Sequence, residues 1–139
     1  MHAKLSYKWE LVTFLGVDGV VNIVRLYCDN DGESHFDDIH EPGIEHRVHA
    51  DFTRVIAAYG LAFKETGSQG DTPALGQWHT APQRQYVLFL SGHTEIEASD
   101  GEKRKLNAGD VLLVEDTHGK GHRNRRLSPE PELWAFVRA

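Results

Sequence analysis

At ~150 residues per domain, a chain of 139 residues amounts to one domain. With 40% of its residues apolar it can close a core, which excludes a wholly disordered protein. Lys and Arg number 15 against 21 Asp and Glu, a net charge of −6 that is poorly suited to nonspecific nucleic-acid binding. No apolar run approaches the ~18 residues of a membrane span, and the single cysteine, Cys28, removes internal disulfides and Cys-ligated zinc and fits a cytoplasmic home.

Residues 1–20 open with a strand-like stretch, Tyr7 to Phe14, broken by Gly16, Asp18 and Gly19. Lys8, Glu10 and Asp18 interrupt any apolar run of the signal-peptide kind. The segment reads as an N-terminal extension or an edge strand ahead of a domain over 21–139. Within that domain, turn signals recur roughly every eight to twelve residues, the spacing of many short strands. Asp29-Asn30-Asp31-Gly32, Ser91-Gly92, Ser99-Asp100-Gly101 and Asn107-Ala108-Gly109-Asp110 are the clearest. Between them lie the β-rich runs 21–27, 52–59, 61–63, 84–90, 94–98, 103–106, 111–114 and 133–137. No segment sustains an i, i+3, i+4, i+7 apolar stripe, so the chain is all-β. Ser91-Gly92-His93 predicts one hairpin, between 84–90 and 94–98, and Asp100-Gly101 a second, between 94–98 and 103–106. Strands of this number close into a barrel or pack as a sandwich.

Two stretches carry the candidate chemistry. With a strand period of two, His79, Ala81, Gln83 and Gln85 share one face, as do Val111, Leu113 and Glu115, and then His122 and Asn124. His79, Gln85, Glu115 and His122 are thereby expected to converge on one polar site inside an apolar barrel. Two imidazoles and an amide oxygen suit Fe, Mn, Zn or Ni. Without a metal, His122 paired with Glu115 or Asp116 is a candidate general base.

These stretches resemble the two halves of the cupin signature, G-x5-H-x-H-x3,4-E-x6-G and G-x5-P-x-G-x2-H-x3-N. His79 matches the first histidine and Gly92 the closing glycine; Ala81 replaces the second histidine and Gln85 the glutamate. Gly109 opens the second half, Glu115 stands at its proline, and His122 falls two residues late. The resemblance implies a cupin-like double-stranded β-helix, a jelly-roll barrel, in a small single-domain cupin with a degenerate metal motif. His79, Gln85 and His122 would hold a divalent metal if one is bound, with His122 and Glu115 as catalytic groups. It further implies a small-molecule ligand and a homodimer. The function expected is an enzyme acting on a small polar or anionic metabolite by metal-assisted or His-based chemistry. The alternative is a noncatalytic binding or sensor module without metal.

The remaining histidines carry less. His35, His40, His46 and His49 lie in an acidic stretch that reads as a solvated loop, and His118 is a backup ligand. Arg123, Arg125 and Arg126 read as a solvated strand end or as a locally basic lip for an anionic ligand, and Asp116 with Lys120 as an ion pair across a loop.

Overall fold

The computed structural model describes residues 19–67 and 76–139. Every regular element in them is a strand: β1 (Gly19–Cys28), β2 (Ser34–Pro42), β3 (Glu45–Arg47), β4 (Ala50–Phe52), β5 (Gly60–Thr66), β6 (Gln85–Ser91), β7 (His93–Ala98), β8 (Lys103–Asn107), β9 (Val111–Val114), β10 (His122–Arg126) and β11 (Glu132–Arg138). Strand β1 starts two residues ahead of the expected domain start; the rest of the N-terminal segment, 1–18, lies outside the described residues. The run expected over 52–59 is a strand only at its first residue, the end of β4.

Six strands form one sheet in the order β2-β1-β9-β6-β11-β5, three form another, β10-β7-β8, and β3-β4 stand apart as a hairpin. Neighbours are antiparallel except β1 and β9, where Val24, Arg25 and Leu26 run parallel to Leu112, Leu113 and Val114. A parallel pair requires a crossover connection, and here that crossover contains β2 to β8. One core joins the two large sheets: Leu26, Val87, Phe89, Leu112 and Trp134 from the first meet Ile96 and Leu106 from the second. Burying each such leucine or isoleucine stabilises the fold by roughly 1.5–3 kcal/mol before chain entropy is counted.

The sheets face one another in a jelly-roll manner but do not close into the expected barrel. Where a barrel would continue its ladder, side chains make the junction: Arg104 Nη1 reaches Asp38 at 3.2 Å, and the Ser99 backbone N–H donates to Ser34 Oγ at 2.7 Å. The hairpin expected at Ser91-Gly92-His93 is also corrected. β6 lies between β9 and β11, while β7 belongs to the other sheet, so the chain crosses from sheet to sheet at this point. Gly92 makes the crossing at φ +93°, and a Cβ there would fall 2.4 Å from Glu132 Cγ. Apolar alternation on both sides of a short turn is equally compatible with a hairpin and with an arch over a shared core. The second hairpin, β7 to β8, forms as expected, with Gly101 at φ +96° and Ala98 N–H donating to the Glu102 carbonyl at 2.9 Å.

The acidic stretch around His35 is strand rather than loop. β2 pairs with β1 along its length because its outward charges have cross-strand partners, above all Asp37, which takes two hydrogen bonds from Arg25. His35 bridges two turns, with Nε2 on Asp29 at 2.6 Å and Nδ1 on Asp100 at 2.8 Å. The Asp29 hydrogen bond, then that of Asp100, raises the His35 pKa above its ordinary 6.5. A value raised by folding adds stability that is complete below the unfolded-state value and is lost as pH rises through the folded one. Asp29 is lowered, chiefly by the His35 hydrogen bond, so its share is lost at the acid end, as pH falls through its folded value. His35→Gln is expected to lower Tm more at about pH 5.5 than at about pH 9. Calorimetry at the two values checks this; an equal loss at both would show that the bridge works without its charge.

Candidate functional site

His79 and His122 meet at the edge of β10. Their backbones form an isolated antiparallel bridge, His79 N–H to the His122 carbonyl at 2.9 Å and the return bond at 2.8 Å. Their rings lie 4.4 Å apart at 58°. His122 is buried, whereas His79 is exposed.

Asp116, with no exposed surface, takes a 2.5 Å hydrogen bond from His122 Nδ1. A carboxylate accepting at Nδ1 fixes the neutral tautomer with its lone pair at Nε2, the arrangement of a general base. His79 is oriented in the same sense, since its Nδ1 donates to the Gln77 carbonyl at 2.9 Å. No hydrogen bond occupies either Nε2 among the described residues.

The loop that carries this pair is pinned at several points. Glu115 N–H donates to the Leu26 carbonyl at 2.7 Å, Ala81 N–H to the Asp116 carbonyl at 3.0 Å, and Lys120 N–H to the Gly32 carbonyl at 2.8 Å. Ser34 Oγ donates to the Gly121 carbonyl at 2.7 Å. Lys120 Nζ reaches Glu33 rather than Asp116, which corrects the expected ion pair. Gly121, at φ +74°, lies so close to His79 that a Cβ on it would fall 2.1 Å from the His79 carbonyl oxygen. The absence of that side chain is what lets the segment bearing His79 lie against β10.

Of the residues expected to converge, the structure brings His79 and His122 together. Gln85 is buried beside Val114 on the inner face, but no hydrogen bond joins it to either imidazole. Glu115 goes to the other side. Leu112 and Val114 belong to the inner core, whereas Leu113 packs in a separate cluster on the outer face with Ile23 and Tyr86. Asp116 therefore continues the inner row and Glu115 the outer one, where Arg84 holds it at 2.7 Å and Arg25 at 3.3 Å. Both cations lie outside the core, so the carboxylate is neutralised away from the histidine pair.

Among the other histidines, His46 pairs with Asp51 at 2.5 Å on the β3-β4 hairpin, and His93 contacts Asn107 at 2.7 Å. His118 is exposed in the pinned loop and His40 on β2. His49 takes a positive φ of 68° in the β3-β4 turn. None of these accompanies the His79–His122 pair.

Sequence reasoning missed a polar row on the inner face beyond His122. Arg126 is buried, with Nη1 donating to the Gly67 carbonyl at 2.7 Å and Nε 3.7 Å from Glu132. Burial raises the Glu132 carboxyl pKa, against the opposing pull of Arg126 and Lys64. Asp116 Oδ1, Asn124 Oδ1, Arg126 Nε and Trp134 Nε1 are buried without hydrogen-bond partners among the described residues. Such atoms cost free energy unless a polar ligand or water satisfies them. The period-two register of β10 put Asn124 and Arg126 beside His122; nothing in the sequence marked Glu132 or Trp134.

A resident transition metal does not fit this donor set. The pair offers two imidazole nitrogens, Asp116 faces His122 Nδ1 through Oδ2, on the side of the ring away from Nε2, and Ala81, buried in the core, stands where the signature has its second histidine. No group of three His, Cys, Asp or Glu side chains with a metal-holding arrangement occurs among the described residues. Three protein ligands are the usual minimum for such a site. A cavity of about 260 Å³ opens on the opposite face of the six-stranded sheet, walled by Ile23, Ile56, Tyr86, Leu88 and Val137; none of the four expected site residues lines it.

No protein-family model and no curated protein matches the chain. Among solved structures it is similar to an RmlC-like cupin from Shewanella frigidimarina (18% identity, TM-score 0.41, covering 84% of this chain and 85% of that one). It is likewise similar to KdgF from Halomonas sp. (23% identity, TM-score 0.38, 68% and 91%). A third is the Cupin_2 domain of an XRE family transcriptional regulator from Enterobacter cloacae (17% identity, TM-score 0.30, 86% and 97%). No helix among the described residues is long and apolar enough to cross a membrane. With two facing sheets around one core, and with the two stretches that resemble the signature meeting at His79 and His122, the chain has a cupin-like jelly-roll fold.

Proposed function

We propose that the chain is a small enzyme in which His122, oriented by Asp116, acts as a general base on a small polar or anionic metabolite. The observation that carries this reading is the buried 2.5 Å His122–Asp116 contact, with Nε2 left without a partner among the described residues. In the first step His122 Nε2 takes a proton from a C–H or O–H acid of the substrate. The Asp116 carboxylate stabilises the imidazolium that forms, and the same nitrogen returns the proton to the product. His79, 4.4 Å away, orients the substrate through its own free Nε2. Asn124 Oδ1, without a hydrogen-bond partner among the described residues, supplies an acceptor for a polar substituent, and Arg126, ion-paired with Glu132, adds a cation further along β10. No step uses a metal, since the donor set does not fit one.

The test is hydrogen exchange in deuterated water, with mixtures of small hydroxy acids, keto acids and sugar acids followed by proton NMR. Exchange or conversion of one component that saturates with its concentration supports the enzyme. Saturable binding of a component without exchange or conversion identifies a binding module instead and overturns the proposal.

A further inference from the structure

We infer that Ser34 positions the His122 imidazole from the opposite sheet, through the Gly121 carbonyl, an inference that rests on the general-base reading of His122 for its catalytic meaning. The peptide unit between Gly121 and His122 is held at both of its polar atoms. The His122 N–H donates to the His79 carbonyl at 2.8 Å, and the Gly121 carbonyl accepts from Ser34 Oγ at 2.7 Å. Fixing that plane fixes the Cα from which the side chain starts, and Asp116 at Nδ1 then fixes the ring. Asp116 follows β9 and Ser34 lies on β2, so two strands of the six-stranded sheet hold a residue of the three-stranded one.

The direction of the Ser34 hydroxyl follows from counting protons. A hydroxyl has one to give, and two acceptors lie near it, the Gly121 carbonyl at 2.7 Å and Ser99 Oγ at 3.2 Å. Ser99 Oγ already accepts the Ser34 backbone N–H at 2.7 Å and spends its own proton on the Glu33 carboxylate. The Ser99 backbone N–H returns a bond to Ser34 Oγ at 2.7 Å. This reciprocal exchange leaves the Ser34 proton aimed at Gly121. The Ser99 hydroxyl, and after it Lys120, holds the Glu33 carboxyl below its ordinary pKa, so Glu33 remains an acceptor at neutral pH.

The loop ahead of His122 is pressed onto the same turn. Lys120 N–H donates to the Gly32 carbonyl at 2.8 Å and Lys120 Nζ reaches Glu33 at 3.2 Å. Gly119 passes so near that a Cβ on it would fall 2.5 Å from the Gly32 carbonyl oxygen. Ser34 has no exposed surface. Alanine in its place keeps the Cβ and lacks only the hydroxyl that reaches Gly121.

The test uses the ¹⁵N-labelled full chain and long-range ¹H–¹⁵N correlation, which reads the imidazole nitrogens; H122Q assigns the His122 signals by removing them. In the wild type Nδ1 is expected to carry the proton and Nε2 to be bare. S34A is expected to draw the two nitrogen shifts toward each other, as the contact with Asp116 loosens and the second tautomer enters. S99A should move them the same way by less, which keeps a readout if S34A does not fold. R104Q is the control. It breaks another junction between the sheets, Arg104 to Asp38 at 3.2 Å, without touching Gly121. It should lower Tm and leave the His122 shifts in place. On the metabolite that the exchange screen identifies, S34A is expected to lower kcat by roughly 10–10²-fold with KM near wild type, the cost of a misplaced base. His122 shifts that stay put in both serine variants overturn the proposal, as do shifts moved equally by R104Q or an unchanged kcat in S34A. A wild type without turnover, with the S34A shift change present, removes the general-base reading and supports Ser34 as the residue that positions the ring.

Discussion

Gly121→Ala is expected to unfold the protein early, by about 3 kcal/mol or more and on the order of 10 °C in Tm. Two costs add. The residue takes φ +74°, which L side chains rarely adopt, and its new methyl would fall 2.1 Å from the His79 carbonyl oxygen and 2.5 Å from the carbonyl carbon. Backbone cannot rotate away as the end of a side chain can, so the His79–His122 bridge must open. Gly101→Ala is the control. It has φ +96° but nothing within 4 Å of the added methyl, so it is expected to show the conformational cost alone, about 1 kcal/mol. Thermal melts of both variants separate the terms; equal losses would mean that the contact at His79 yields without cost.

Gly121 also illustrates what the sequence could and could not reveal. The need for glycine at 121 arises from a carbonyl more than forty positions away in the chain, which nothing in Gly119-Lys120-Gly121 itself shows. Strand existence was legible from turn spacing and β-branched content, and β9 was placed to the residue. Its orientation was not. Val111-Leu112-Leu113-Val114 is apolar on both faces because both are buried, one in the main core and one in the outer cluster. Alternation therefore gave no parity. Choosing the wrong one sends Glu115 inward, whereas the structure turns Glu115 outward and Asp116 inward. β2 was hidden for a different reason: its charges read as solvent-facing loop, whereas Asp37 and Asp38 meet Arg25 and Arg104 across strands. Long-range ion pairs leave no periodic trace.

The missing barrel closure has the same origin. The expectation counted strands and asked how their edges could be protected. The structure protects most of them with charge and joins the sheets through Ser34, Ser99, Asp38 and Arg104 instead of ladder bonds. The pairing of Ser34 with Ser99 also steadies Gly121 through Ser34 Oγ, so the seam between the sheets and the position of His122 share one hydrogen-bond chain.

His122→Gln is expected to lower turnover of whichever metabolite the exchange screen identifies by ~10²–10⁴-fold, the range attributable to a positioned general base. The amide is close in size to the imidazole but does not accept a proton near neutrality, so binding should fall far less than turnover. Asp116→Asn should approach the same loss by another route. An amide in place of the carboxylate neither stabilises the imidazolium nor requires the Nδ1-protonated tautomer, while the buried shape is kept. Because Asp116 Oδ1 already lacks a partner among the described residues, the substitution removes one charge-assisted hydrogen bond and costs roughly 1–3 kcal/mol of stability. If the two residues act as a unit, the double variant should lose little more turnover than either single one. Glu115→Gln, on the outer face between Arg25 and Arg84, should leave turnover near wild type. Loss of turnover in Glu115→Gln with retention in Asp116→Asn would reverse the assignment and return the base's partner to the outer face of the sheet.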